Sequence, residues 1–378
     1  MYRITFSILL FVVFLVQGYS QSADSLATFT NTAKHEIVEL GSPKFKKAPK
    51  NIILFIADGM GTAQLFGAIT ANGGSLNIHH MKHIGFTTTQ SANNFVTDSG
   101  AGGTAIATGQ KVNNGAISVN QSNEPLPTIL QISSKNGKAT GLVATSGITH
   151  ATPASFIAHQ PSRNMYEEIA DNFLKTDIDI FIGGGLNHFK NRKDGRDLTV
   201  ELKNKGYRIY TDLESASVDN KSPMAIFTAE GHNPQFDTRG EMLTQATQKA
   251  IEVLSANKNG FFVMIEGSQI DWGGHANSTP YIVGEVLDTD RAIGAALKFA
   301  AQNRETLVIV ASDHETGGMT INDGSFDALT VTARYTTTDH TAVMVPVFAY
   351  GPGAEEFMGI FDNTDLFKKM MKLFGFSK

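Results

Sequence analysis

Ser99 sits where a reactive hydroxyl is easiest to imagine. The stretch Asp98-Ser99-Gly100-Ala101-Gly102-Gly103-Thr104 sets it beside four residues with minimal side chains, ahead of an Ala/Thr-rich run to Thr108. Asp98 is a natural N-cap, which puts the Ser99 hydroxyl at a helix N-terminus, where free N–H groups favour an anion. The small neighbours let a substrate approach the backbone. A serine presented this way suits attack on a phosphorus or carbonyl centre. Alone, Asp-Ser-Gly also reads as an ordinary turn or cap.

A second set of residues has the chemistry of metal ligands. Asp58, Glu266 and the pair Asp313-His314 each follow a short apolar run. Asp271 and His275 stand four residues apart just after Glu266, and His340 precedes another apolar run. The chain has no cysteine, so disulfides and thiolate sites are excluded and a metal must be held by His, Asp and Glu. His275, His340 and His314 with Asp271 and Asp313 suit zinc. Asp58, Glu266 and the Thr152 hydroxyl are hard oxygens that suit magnesium. Paired metals that clamp attacking and leaving oxygens belong to phosphoryl transfer. Arg163 then offers a planar fork to phosphoryl oxygens, or else lies on the surface of its Pro-Ser-Arg-Asn turn.

Such residues must be gathered by the fold. Apolar runs at 51–57, 139–145, 178–182, 261–265, 307–311 and 343–350 end in polar or glycine-rich loops, as buried parallel strands do. Helical patterns at 128–136, 165–174, 238–256 and 281–302 lie between them. This alternation predicts an α/β fold with a large, mostly parallel central sheet flanked by helices, in which ligands collect at the C-terminal ends of the strands. Residues 186–236 are turn-rich and read as an insertion over the sheet. His79, His80 and His83 have no acid in a matching block beside them, and His159 and His188 read as structural.

Arg3, an apolar run at 4–16 and the small residues Gly18 and Ser20 have the layout of a signal peptide cleaved before Gln21, with an uncleaved anchor as the alternative. Residues 21–50 read as a poorly ordered arm, and 51–378 as the catalytic domain. The expected protein is exported, periplasmic or secreted, with no stable membrane anchor after cleavage. A net charge of −5 and scattered aromatics give no reason to expect nucleic acid as a partner.

Five blocks together resemble the alkaline phosphatase family: DGMG at 58–61, VTDSGAGGT at 96–104, THATP at 149–153 with Arg163, EGSQIDWGGHA at 266–276 and ASDHETGG at 311–318, with His340-Thr341 as a sixth. The resemblance covers residues 50–353 or so. It implies Ser99 as the nucleophile that becomes phosphoserine, and Arg163 as the clamp on two phosphoryl oxygens. It implies two Zn2+ and one Mg2+: Asp271, His275 and His340 for the first zinc; Asp58, Asp313 and His314 for the second, which Ser99 meets; Asp58, Thr152 and Glu266 for magnesium. Small phosphate monoesters are the implied substrates and a homodimer the family default. Two positions depart from the best-known bacterial pattern. His150 replaces an Asp near magnesium, which would allow Zn2+ or Co2+ there, and Trp272 replaces a Lys after the zinc-binding Asp, which implies weaker product binding and faster turnover. The rival readings are a phosphodiesterase or sulfatase of the same superfamily, and an inactive exported metal- or phosphate-binding protein.

Overall fold

The computed structural model describes residues 27–218 and 222–376; the expected signal peptide and the first residues of the expected arm lie outside these. Ten strands build one sheet: Asn51–Ala57 (β1), His83–Thr88 (β2), Ala139–Gly147 (β3), Ile180–Gly184 (β4), Arg208–Tyr210 (β5), Met224–Phe227 (β6), Phe261–Gly267 (β7), Thr306–Ala311 (β8), Val345–Tyr350 (β9) and Gly359–Asp362 (β10). Their spatial order is β10-β2-β9-β8-β1-β7-β3-β4-β6-β5. All seven residues of β1 are buried, because helices cover both faces of the sheet. Alternate side chains feed two apolar layers. Ile53, Phe55, Val263 and Val308 join one, against the helices Met242–Leu254 and Thr279–Asn303. Ile52, Leu54, Phe262 and Ile309 join the other, with Ile106, Ile129 and Phe173.

The sheet is parallel except at β9, which runs antiparallel to β2 and to β8. The run at 343–350 was expected to be another parallel strand. A parallel return needs a crossover to the far end of the sheet. Instead, the chain after β8 stays at the same edge, in the short strands Glu315–Thr316, Thr320–Ser325, Thr330–Arg334 and His340–Thr341, and re-enters from there. That detour keeps His340 beside Asp313 and His314.

Residues 186–236 are not an insertion over the sheet. They supply its last two strands, β6 and the edge strand β5, and the helices Leu186–Lys190 and Leu198–Asn204. Strands of three and four residues are too short to show a period. The expected helix at 238–256 is two helices, Phe236–Arg239 and Met242–Leu254, broken at Gly240, whose φ of 59° interrupts the helical backbone. The arm is better ordered than expected from residue 28 on. Thr28–Thr30 pairs antiparallel with Thr330–Arg334, and His35 Nε2 lies 2.8 Å from a buried Asp290 carboxylate oxygen. Among the described residues no helix is long and apolar enough to cross a membrane.

Candidate active site and metal centre

Three adjacent central strands deliver carboxylates to one edge. β1 is followed by Asp58, β7 carries Glu266, and Asp313 and His314 come shortly after β8. The helix Gln269–His275 follows β7 directly and carries Asp271 and His275 on successive turns. Gly59, in the left-handed region at φ 79°, lets the turn after β1 touch this helix: a Cβ there would come within 2.7 Å of the Asp271 Cα. His340 is brought in by pairing of Thr316 with His340 across the short strands.

The ligand atoms form three groups. Asp271 Oδ1 lies 3.3 Å from His275 Nε2 and 3.4 Å from His340 Nε2, and the two Nε2 atoms are 3.3 Å apart. Bonds of about 2.0–2.1 Å to a tetrahedral zinc place its ligands about 3.3–3.4 Å from one another, so the group already has the spacing of a zinc shell. Both rings are oriented from behind: His275 Nδ1 lies 2.6 Å from Thr338 O and His340 Nδ1 lies 2.8 Å from Thr97 O. This fixes Nδ1 as the protonated nitrogen and turns the Nε2 lone pairs inward. Thr316 Oγ1 donates to Asp271 Oδ1 at 2.5 Å.

In the second group, His314 Nε2 lies 3.5 Å from Asp58 Oδ1 and 3.3 Å from Asp313 Oδ2. In the third, Asp58, His150 and Glu266 each offer a ligand atom, all within 4.8 Å of one another. Thr152 Oγ1 donates to Asp58 Oδ2 at 3.1 Å, and Ser146 Oγ donates to Glu266 Oε2 at 3.3 Å. Asp58 belongs to both groups. Its Oδ1, with Asp313 Oδ2, Glu266 Oε1 and His150 Nδ1, is buried without a hydrogen-bond partner. Orphaned buried atoms of this kind are costly, and four at one spot, three of them carboxylate oxygens, fit divalent cations.

Electrostatics say the same. Burial, then the neighbouring carboxylates of Asp313, Asp271 and Glu266, push the Asp58 carboxyl well above the usual range. Burial raises Glu266 to about 7, and burial with the Asp271 charge raises Asp313 to about 6. Burial and the nearby His340 hold His314 well below an ordinary histidine, so it stays a neutral ligand. With no metal between them, burial opposes the Asp271 carboxylate, but the His275 and His340 imidazoles, which donate to it through Nε2 once protonated, hold it well below its usual range. Its bond to His275 lifts that imidazole to about 9. Burial and the Arg163 charge lower His150 to about 3.

Ser99 heads the helix Ser99–Thr108, which starts five residues earlier than its apolar run and is buried throughout. Asp98 caps it, accepting from Ala101 N–H at 3.0 Å. The other oxygen of the same carboxylate accepts from Arg163 Nη1 at 3.0 Å. One acid therefore sets both the serine and the guanidinium, a link that the capping pattern alone does not reveal. Ser99 Oγ lies 3.2 Å from His314 Nε2. Arg163 is half-buried, not a free surface residue, and its Nη2 lies 3.4 Å from His150 Nε2.

Every residue singled out from the sequence for this site is therefore found here. Trp272 adjoins Asp271, its ring 5.9 Å from that of His150. His232 was not anticipated: its ring lies 4.8 Å from Trp272 and 5.6 Å from His150. A lone histidine in a turn-rich stretch carries no signal that could have found it. The remaining histidines are elsewhere. His80 Nε2 meets Val38 O at 2.8 Å, His159 Nδ1 meets Ser118 O at 2.8 Å, and His188 Nδ1 meets Thr149 Oγ1 at 2.6 Å.

The chain is similar to known proteins along most of its length. The alkaline phosphatase family model matches residues 49–333. Alkaline phosphatase 4 of Bacillus subtilis is 33% identical, over 84% of this chain and 87% of its own. Alkaline phosphatase of Escherichia coli is 30% identical, over 87% of each. The structure of alkaline phosphatase from the Antarctic bacterium TAB5 superposes with a TM-score of 0.83 at 42% identity, covering 88% of this chain and all of that one. A variant of that enzyme with one His changed to Asp was solved with Mg bound in the site designated M3. With the family's blocks, fold and metal-ready site all present, this chain belongs to the alkaline phosphatase family and is a metal-binding hydrolase of phosphate monoesters.

Proposed function

We propose that hydrolysis runs through a covalent phosphoserine at Ser99. The observation that carries this is the placement of a buried hydroxyl at a helix N-terminus, 3.2 Å from His314 Nε2, with Arg163 tied to the same capping carboxylate. Ser99 Oγ attacks phosphorus and loses its proton; the ester P–O bond breaks and the alcohol leaves, taking up a proton. Water then attacks the phosphoserine, inorganic phosphate leaves, and the Ser99 hydroxyl is restored. Arg163 holds two phosphoryl oxygens through its fork. It also favours a monoester, with its extra charged oxygen, over a diester.

We assign Zn2+ to Asp271, His275 and His340, a second Zn2+ to Asp58, Asp313 and His314, and Mg2+ to Asp58, Thr152 and Glu266. When bound, these ions supply positive charge to the phosphoryl group and to the attacking and leaving oxygens. That a His-to-Asp change in the TAB5 enzyme accompanies Mg in its M3 site supports reading His150 as the residue that sets which metal the third site takes, with Zn2+ or Co2+ as candidates. The signal-like residues 1–20 support export to the periplasm or medium, the strands from 51 onward support a single catalytic domain over 51–378, and a homodimer remains the family default. The test is Ser99→Ala in metal-loaded enzyme with an aryl phosphate monoester: turnover should fall at least about a thousandfold with the zinc content unchanged. Activity within tenfold of the native enzyme would exclude Ser99 as nucleophile.

A further inference from the structure

The loop leading into Phe236–Arg239 carries an exposed residue, His232, and buried polar side chains hold the loop on both sides. Gln269, 1% exposed, donates to Asn233 O at 2.9 Å and to Thr145 O at 3.0 Å, and accepts from Tyr281 OH at 2.7 Å. Arg239 donates to Pro234 O at 3.1 Å, to Glu285 Oε1 at 2.9 Å and to Asp288 Oδ2 at 2.6 Å. Glu285 also accepts from Phe236 N–H at 3.0 Å. Burying these groups carries a desolvation cost that a mere surface loop does not require.

What this anchoring fixes is one ring. Gly147 N–H donates to His232 Nδ1 at 2.9 Å. The neutral imidazole therefore carries its proton on Nε2, and no described residue accepts it. The ring stands edge-on to Trp272, at 77° and 4.8 Å, and edge-on to His150, at 88° and 5.6 Å. From the Arg163 guanidinium, His150 leads outward to a corner made by Trp272 and His232.

We propose that this corner receives the organic group of the phosphate monoester. The half-buried indole offers a flat apolar wall and His232 Nε2–H a hydrogen-bond donor. The favoured alcohols then carry a planar ring with hydrogen-bond acceptors, as a nucleoside does, over aliphatic alcohols that lack one. The proposal rests on the Ser99 and Arg163 reading, since it adds an alcohol site to their phosphoryl site.

The experiment compares 5′-AMP with ribose 5-phosphate on the metal-loaded enzyme, because the two share a leaving hydroxyl and differ in the base. The native enzyme should show a kcat/KM about fivefold to tenfold higher for 5′-AMP, the size expected of one ring contact and one hydrogen bond. His232→Ala should bring the ratio close to one through a rise in KM for 5′-AMP, and His232→Phe, which keeps a ring and loses the donor, should fall between. Trp272 is the one tryptophan of the chain, so adenosine should quench the native fluorescence and ribose should not. Equal kcat/KM for the two esters in the native enzyme, or a ratio untouched by His232→Ala, overturns the subsite. If His232→Ala does not fold, the native ratio and the quenching decide. Failure of the native enzyme to release phosphate from either ester is a separate result, which overturns the hydrolytic reading underneath.

Discussion

His275 Nε2 and His340 Nε2 lie 3.3 Å apart, although 65 residues separate them in the chain. Each ring's Nδ1 faces a backbone carbonyl, so two lone pairs are aimed at one point beside the Asp271 carboxylate. That arrangement is stable only with a cation between them, a metal ion or, failing that, a proton.

Stripping the metals should therefore make stability pH-dependent. His275 is raised to about 9 by its bond to Asp271. His340 is raised too, its bond to Asp271 outweighing burial, and burial raises Glu266 to about 7. For each, the folded form binds protons that the unfolded form has released, so stability falls as pH rises. The Glu266 shift contributes only up to about pH 7, and the His275 shift acts from about pH 6.5 to 9. Melting temperature after chelation should drop across that window, while the metal-loaded enzyme, whose ligands compete with protons less as pH rises, should not show the drop. Parallel curves with and without chelator would refute this.

The ends of β1, β7 and β8 were legible because strands buried on both faces read as unbroken apolar runs, and each run stops at Asp58, Glu266 or Asp313. Thr152, Arg163 and His340 were harder. Thr152 sits in a four-residue helix and His340 in a two-residue strand, too short for a periodic signal; ligand chemistry raised them as candidates and motif resemblance gave them their roles. The edge strands β5 and β10, and β6 beside β5, were missed for the same reason. The reversal of β9 depends on where the chain travels after β8, which no local pattern encodes. His232 is placed by buried partners on two other helices.

His150→Asp should convert the third group into a harder, more anionic set. Half-maximal activation by Mg2+ should move to a concentration about tenfold lower, and stimulation by Co2+ should fade. A metal titration of activity reads both, and an unmoved Mg2+ midpoint would count against His150 as the determinant.

Trp272→Lys adds a cation next to Asp271 and His150. Inorganic phosphate should then inhibit about tenfold more tightly, with kcat lowered as product release slows. An unchanged inhibition constant for phosphate would mean that the indole has no bearing on product retention.

Arg239→Ala should cost about 3–5 kcal/mol of stability, because Glu285 and Asp288, at 0% and 1% exposed, would remain buried without their guanidinium. Urea unfolding measures this directly. A loss under about 1 kcal/mol would show that the network behaves like a surface ion pair.

The most direct test of the phosphoserine route is to mix metal-loaded enzyme with an aryl phosphate monoester, quench in acid during turnover and map the peptides by mass spectrometry. A phosphate on Ser99 in the native enzyme, absent from Ser99→Ala, is the expected result. Rapid phosphate release with no label on Ser99 at any quench time, while Ser99→Ala still turns over, would contradict it.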